Sequence, residues 1–107
     1  MKMYLIKADY TAEGTKGLMQ EGGTSRKKMV ENMLAELGGR VESFYYTFGN
    51  PDVYLIIELP DDISGAATRL RVNASGLVNI SVTPLLSPED IDAASNKSVN
   101  YRGPGEK

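Results

Sequence analysis

Four stretches of this chain alternate apolar and polar residues, and only two clear stripes of helical period lie between them. That imbalance constrains the fold more than any other feature. Two helices cover one face of a four-stranded sheet, so the second face must meet water, a ligand or another subunit. The alternating stretches are residues 2–10 (KMYLIKADY), 40–48 (RVESFYYTF), 52–59 (DVYLIIEL) and 77–83 (LVNISVT), and each reads as a strand. The spacing predicts a first helix over about 25–37, with Met29, Val30, Met33, Leu34 and Leu37 on one stripe, a Thr24 or Ser25 cap and a Gly38-Gly39 stop.

Gly49-Asn50-Pro51-Asp52 is a turn composition and joins the second and third strands as a hairpin. Pro60-Asp61-Asp62 opens a second helix over about 62–75, with Ile63, Ala66, Ala67, Leu70 and Ala74 as its buried stripe and Gly76 as its stop. These side chains are mostly small, which predicts a helix lying close to the sheet. Ser87-Pro88-Glu89-Asp90 starts a third, short helix reaching about residue 97: a cap, a proline at the first position, then acids at the positive end of the dipole. Residues 11–23 hold four glycines without a period and read as a long loop with one packed turn at Leu18-Met19.

The order is β-α-β-β-α-β with an extra C-terminal helix, which is the ferredoxin-like α+β class. Strands one and three become central in a four-stranded antiparallel sheet, with both helices on one face. Residues 1–98 form the single domain that a 107-residue chain predicts, and residues 99–107, rich in Gly, Pro and charge, form a flexible tail.

The chain has no Cys and no His. That excludes disulfides, thiolate nucleophiles, Cys/His zinc sites and imidazole bases. Twelve Lys and Arg against fourteen Asp and Glu leave a net charge of −2, which argues against a nucleic-acid footprint. Lys7 and Asp9 break the first apolar stretch, so no membrane span or leader is expected there. The expectation is a cytoplasmic, bacterial-type protein with no cofactor and no metal.

The alternation puts Tyr4, Ile6, Ala8, Val53, Leu55, Ile57, Leu59, Val78, Ile80 and Val82 under the helices, with Phe44, Tyr46 and Phe48 beside them. The open face then carries Leu5, Lys7, Asp9, Tyr45, Tyr54, Ile56, Glu58, Asn79 and Ser81. This face is too aromatic for a plain solvated surface and reads as a homodimer interface, which can also enclose a pocket. Candidate ligand-binding residues are Lys7, Asp9, Tyr45, Tyr54 and Glu58. Lys7 and Glu58 are also the candidate catalytic residues. Read on parallel central strands in similar register, they stand side by side, as an acid–base pair or as an interface ion pair.

Other features have plainer readings. Arg26-Lys27-Lys28 after Glu21-Gly22-Gly23-Thr24-Ser25 resembles an anion seat, but solvation or pairing with Glu21 and Glu31 accounts for it. Asp61-Asp62 and Glu89-Asp90-Asp92 stand where helix starts want acids, so capping explains them better than a metal site. Asp52 bonds turn amides, and Tyr10 packs at the sheet end or gates the open face. No Ser-His-Asp or Cys-His set can be assembled.

The run Tyr10-Thr11-Ala12-Glu13-Gly14-Thr15-Lys16-Gly17-Leu18, followed by Glu21-Gly22-Gly23 and Arg26, resembles the opening of the GYD-domain family of small bacterial proteins. Gly38-Gly39, Phe44-Tyr45-Tyr46, Phe48-Gly49 with Asp52-Val53, and Thr83-Pro84-Leu85-Leu86 extend the resemblance over about residues 3–102. Pro51 stands where the naming motif would have its tyrosine. The resemblance implies a dimeric α+β barrel and little about activity. Related barrels include cofactor-free oxygenases, isomerases and haem enzymes, and the missing His speaks against the haem version. The expectation is therefore a homodimer with a small-molecule cleft on the open sheet face. The alternatives are a cofactor-independent monooxygenase or isomerase using Lys7, Glu58 and nearby tyrosines, and a structural or regulatory dimer without a ligand.

Overall fold

The alternating stretches become four strands: β1 (Lys2–Tyr10), β2 (Arg40–Tyr46), β3 (Val53–Leu59) and β4 (Val78–Leu85). Four helices punctuate them: α1 (Ala12–Glu21), α2 (Gly23–Glu36), α3 (Asp62–Ala74) and α4 (Pro88–Ser95). The computed structural model describes all 107 residues. The sheet order is β2-β3-β1-β4 and every pairing is antiparallel. The result is a ferredoxin-like α+β arrangement with one helix added before α2 and another after β4.

The core forms where the alternation places it. Tyr4, Ile6 and Ala8 of β1, Val53, Leu55, Ile57 and Leu59 of β3, and Val78 and Ile80 of β4 are buried together with Leu34 of α2. Val30, Met33 and Leu37 pack beside Leu34, so the α2 stripe lies as its period predicts. Asp61 caps α3 by accepting from the Ser64 amide, and Ser87 and Asp90 close a reciprocal capping box on α4.

Residues 11–23 are not a loop. Thr11 caps α1 by accepting from the Gly14 amide at 3.1 Å, and the ten-residue helix runs to Glu21. Two internal glycines weaken a helix in isolation, but here one of them makes the docking. The Leu77 carbonyl accepts from the Thr11 amide at 3.0 Å, and a Cβ at Gly14 would stand 1.9 Å from that same oxygen. Gly22, at φ +92°, then breaks the path so that α2 starts in a new direction.

The buried face of α3 also departs from expectation. Gly65 and Thr68 are buried and Val72 is half-buried, whereas Ile63 and Leu70 stand 81% and 62% exposed. The helix does lie close to the sheet, with the Gly65 position meeting the Tyr4 ring and Val82. It is the glycine and the threonine, not the alanine row, that permit this approach. Thr68 is tolerated there because its hydroxyl donates to the Ser64 carbonyl at 2.9 Å.

β2 ends at Tyr46 and leaves Phe48 in solvent. Its register slips between Val41 and Ser43, so Glu42 is an extra, unpaired residue, and Val41 and Phe44 both reach the core despite their odd spacing. At the opposite edge Asn73 reaches across from α3. Its amide nitrogen donates to the Ile80 carbonyl at 3.2 Å, and its amide oxygen accepts from the Ile80 amide at 2.7 Å. Asp52, expected to bond turn amides, instead ties the hairpin to β1, accepting from the Tyr10 amide at 2.8 Å.

Every residue of α4 is exposed. With the tail it forms an arm that gives the chain extents of 60 × 33 × 23 Å and a radius of gyration of 17.3 Å. A compact chain of this length would have about 13 Å.

Candidate functional site

The register orders the open face into rows. Tyr45, Tyr54, Lys7 and Ser81 form one row across β2, β3, β1 and β4. Ser43, Ile56, Leu5 and Thr83 form the next, and Arg40, Glu58, Met3 and Leu85 a third. Asp9 and Asn79 are partners at the far end. Side chains in one row have Cβ atoms about 5 Å apart. The structure therefore brings Tyr45, Tyr54 and Lys7 together and sets Asp9 beside Lys7 on the same strand.

Glu58 is elsewhere. β1 and β3 run antiparallel, not parallel, so Glu58 lies opposite Met3, four residues from Lys7 and about 13 Å away along the strand. Its partner is Arg40, with which it forms an ion pair through Nη2 and Oε2. The expected Lys7–Glu58 couple does not form. The cause is topological. In a β-α-β-β unit the hairpin reverses the chain once, so the strand after it runs against the first.

Lys7, Asp9, Asn50, Pro51, Tyr54, Asn79 and Ser81 surround a shallow depression of about 430 Å³ at one end of the face. It offers a cation, a carboxylate, amides, a hydroxyl and a ring edge. Tyr45 lies one strand beyond it. No group of three or more Asp or Glu side chains is positioned to hold a metal ion, and no helix is long and apolar enough to cross a membrane.

A second constellation lies on the helix side. The Tyr46 hydroxyl donates to the Gly23 carbonyl at 3.0 Å, and Tyr46 stacks edge-on against Phe44 with ring centroids 5.3 Å apart. Burial, and then the neighbouring Tyr10 phenol, push the Tyr46 phenol up to about 12. Arg26 turns inward beside them. Its Nη1 is 3.9 Å from Glu21 Oε1, and its Nε is buried without a partner. The signal for Arg26 was available. It precedes Met29, Val30 and Met33 by three, four and seven residues, which sets it on the apolar stripe, whereas Lys27 and Lys28 point to solvent. Read as one basic run, the three residues hid that difference.

No curated protein and no solved structure matches this chain. The sequence model of the GYD domain matches residues 4–95, most of the 107-residue chain, which therefore belongs to the GYD-domain family.

Proposed function

We propose that this GYD-domain chain is a homodimeric small-molecule-binding protein in which two open sheet faces meet. The observation that carries the reading is the uncovered centre of that face, where Leu5 and Ile56 lie between Tyr54 and Met3 with no helix above them. The exposed surface supports it. The chain exposes 7657 Å², against about 5,900 Å² for a compact monomer of its mass. A standard interface takes about 800 Å² from each partner. Part of the excess lies on the α4 arm, which is long enough to reach a second copy.

In such a dimer the Lys7 depression lies at the rim and forms the cleft. Lys7 and Asp9 together suit a small polar molecule bearing both charges, with Tyr54 packing against its body.

Native mass spectrometry of the purified protein tests both parts. The expected species is a dimer, and Ile56→Lys, which changes only the open face, is expected to give a folded monomer. A wild-type monomer at micromolar concentration overturns the reading. A small molecule retained by the wild type and lost in Lys7→Met supports the cleft; retention unchanged by Lys7→Met removes it.

A further inference from the structure

We infer that the space between α2, α3 and the helix side of the sheet is a second binding site, one that takes an apolar organic anion whose carboxylate is held by Arg26. The residues that leave the space open are legible. Over this space α3 presents Thr68 and Val72, side chains too small to fill the gap that α2 leaves. An inner chamber of about 60 Å³ and an outer cleft of about 270 Å³ result. Both are bounded by Tyr10, Arg26, Met29, Val72 and Val78, so the two adjoin across a wall made by those side chains. The outer cleft by itself comes close to the lower end of the size range of small-molecule sites, about 300 Å³.

The chemistry of the lining selects the ligand. Arg26 is the only charged side chain bordering the inner chamber, whose other walls are nearly all apolar, among them Phe44, Met29 and Met33, while Glu13 and Glu21 border the outer cleft. Methionines adapt to varied apolar shapes. Arg26 Nε is buried without a partner, and Glu21 stands beyond hydrogen-bond distance of Nη1. A buried donor without a partner is unfavourable, and a planar carboxylate satisfies Nε and an Nη together. An apolar body in the chamber with a carboxylate at its mouth answers both halves of the site.

Titration calorimetry of the full chain with 4-phenylbutyrate, and with the neutral 4-phenyl-1-butanol, is the test. One saturable site per chain is expected, with the acid binding about tenfold or more tightly than the alcohol. Arg26→Gln is expected to erase that preference while the alcohol still binds. Val72→Trp fills the chamber and is expected to abolish uptake of both; if it does not fold, Met33→Trp fills the same space from α2. Lys7→Met is expected to leave both affinities unchanged, which separates this site from the open-face cleft. Equal affinity for acid and alcohol, no saturable uptake by the folded wild type, or loss of binding in Lys7→Met overturns the inference.

Discussion

The Tyr4 hydroxyl donates to Asp62 Oδ1 at 2.6 Å, tying the buried centre of β1 to the first turn of α3. Burial, and then this bond, push the Tyr4 phenol up to about 12. The unfolded chain releases that proton near pH 10. Between those values the native state holds a proton that the unfolded chain has lost, so stability falls as pH rises from about 10 to 12. Below pH 10 this group leaves stability flat. Tyr46 acts in the same direction. Tyr4→Phe is expected to cost about 1–2 kcal/mol at neutral pH and to make the alkaline decline shallower. Urea midpoints measured from pH 8 to 12 check this; parallel profiles for the two proteins would refute it.

At the acid end the same contact works through Asp62. The Tyr4 bond, and then Lys2, hold its carboxyl below the usual carboxylate range. Its contribution is present above about pH 4 and is lost as pH falls through the lowered value. Asp62→Asn is expected to flatten stability across that acid window in the same urea experiment.

Gly14 and Gly17 sit one turn apart on α1 and should respond oppositely to alanine. At Gly14 the added methyl would meet the Leu77 carbonyl at 1.9 Å, a backbone atom that cannot step aside. Gly14→Ala is expected to destabilise by at least about 2 kcal/mol. At Gly17 nothing lies within 4 Å, so Gly17→Ala is expected to stabilise by about 0.5–1 kcal/mol. Thermal melts of the two variants decide the matter.

A double-mutant cycle distinguishes the partners of Glu58. Arg40→Ala with Glu58→Gln should show a coupling of about 0.5 kcal/mol, modest because the arginine is largely exposed. Lys7→Ala with Glu58→Gln should show none. A larger coupling for Lys7 would contradict the antiparallel register.

On α3, truncating the exposed residues should matter little. Ile63→Ala and Leu70→Ala are expected to change stability by less than about 0.5 kcal/mol. Leu34→Ala, fully buried in α2, is expected to cost about 2–5 kcal/mol. Chemical denaturation of the three variants tests the inverted assignment of the helix faces.

The strands were legible because burial enforces a period of two along β1, β3 and β4, and no other contact competes with it. The hairpin and the capped start of α4 were legible because turn and cap chemistry is local. What escaped the sequence depends on contacts distant along the chain. Helix α1 is docked through Leu77 against Gly14, and no window around residue 14 contains Leu77. The α3 stripe was misassigned because Ile63 and Leu70 outweigh Gly65 and Thr68 on any hydropathy count, although the sheet leaves room only for the smaller pair. Lys7, Asp9, Tyr45 and Tyr54 were placed on one face correctly, since that follows from alternation. Their rows required the register, and there the Glu58 assignment failed.

The Asn73 side chain occupies both outward main-chain groups of Ile80, and the unpaired Glu42 interrupts β2 at the other margin. Each lateral border of the sheet therefore denies a newcomer the continuous ladder it would need to join on. Neither flank offers an uninterrupted ladder, which disfavours growth by strand addition along the hydrogen-bonding direction.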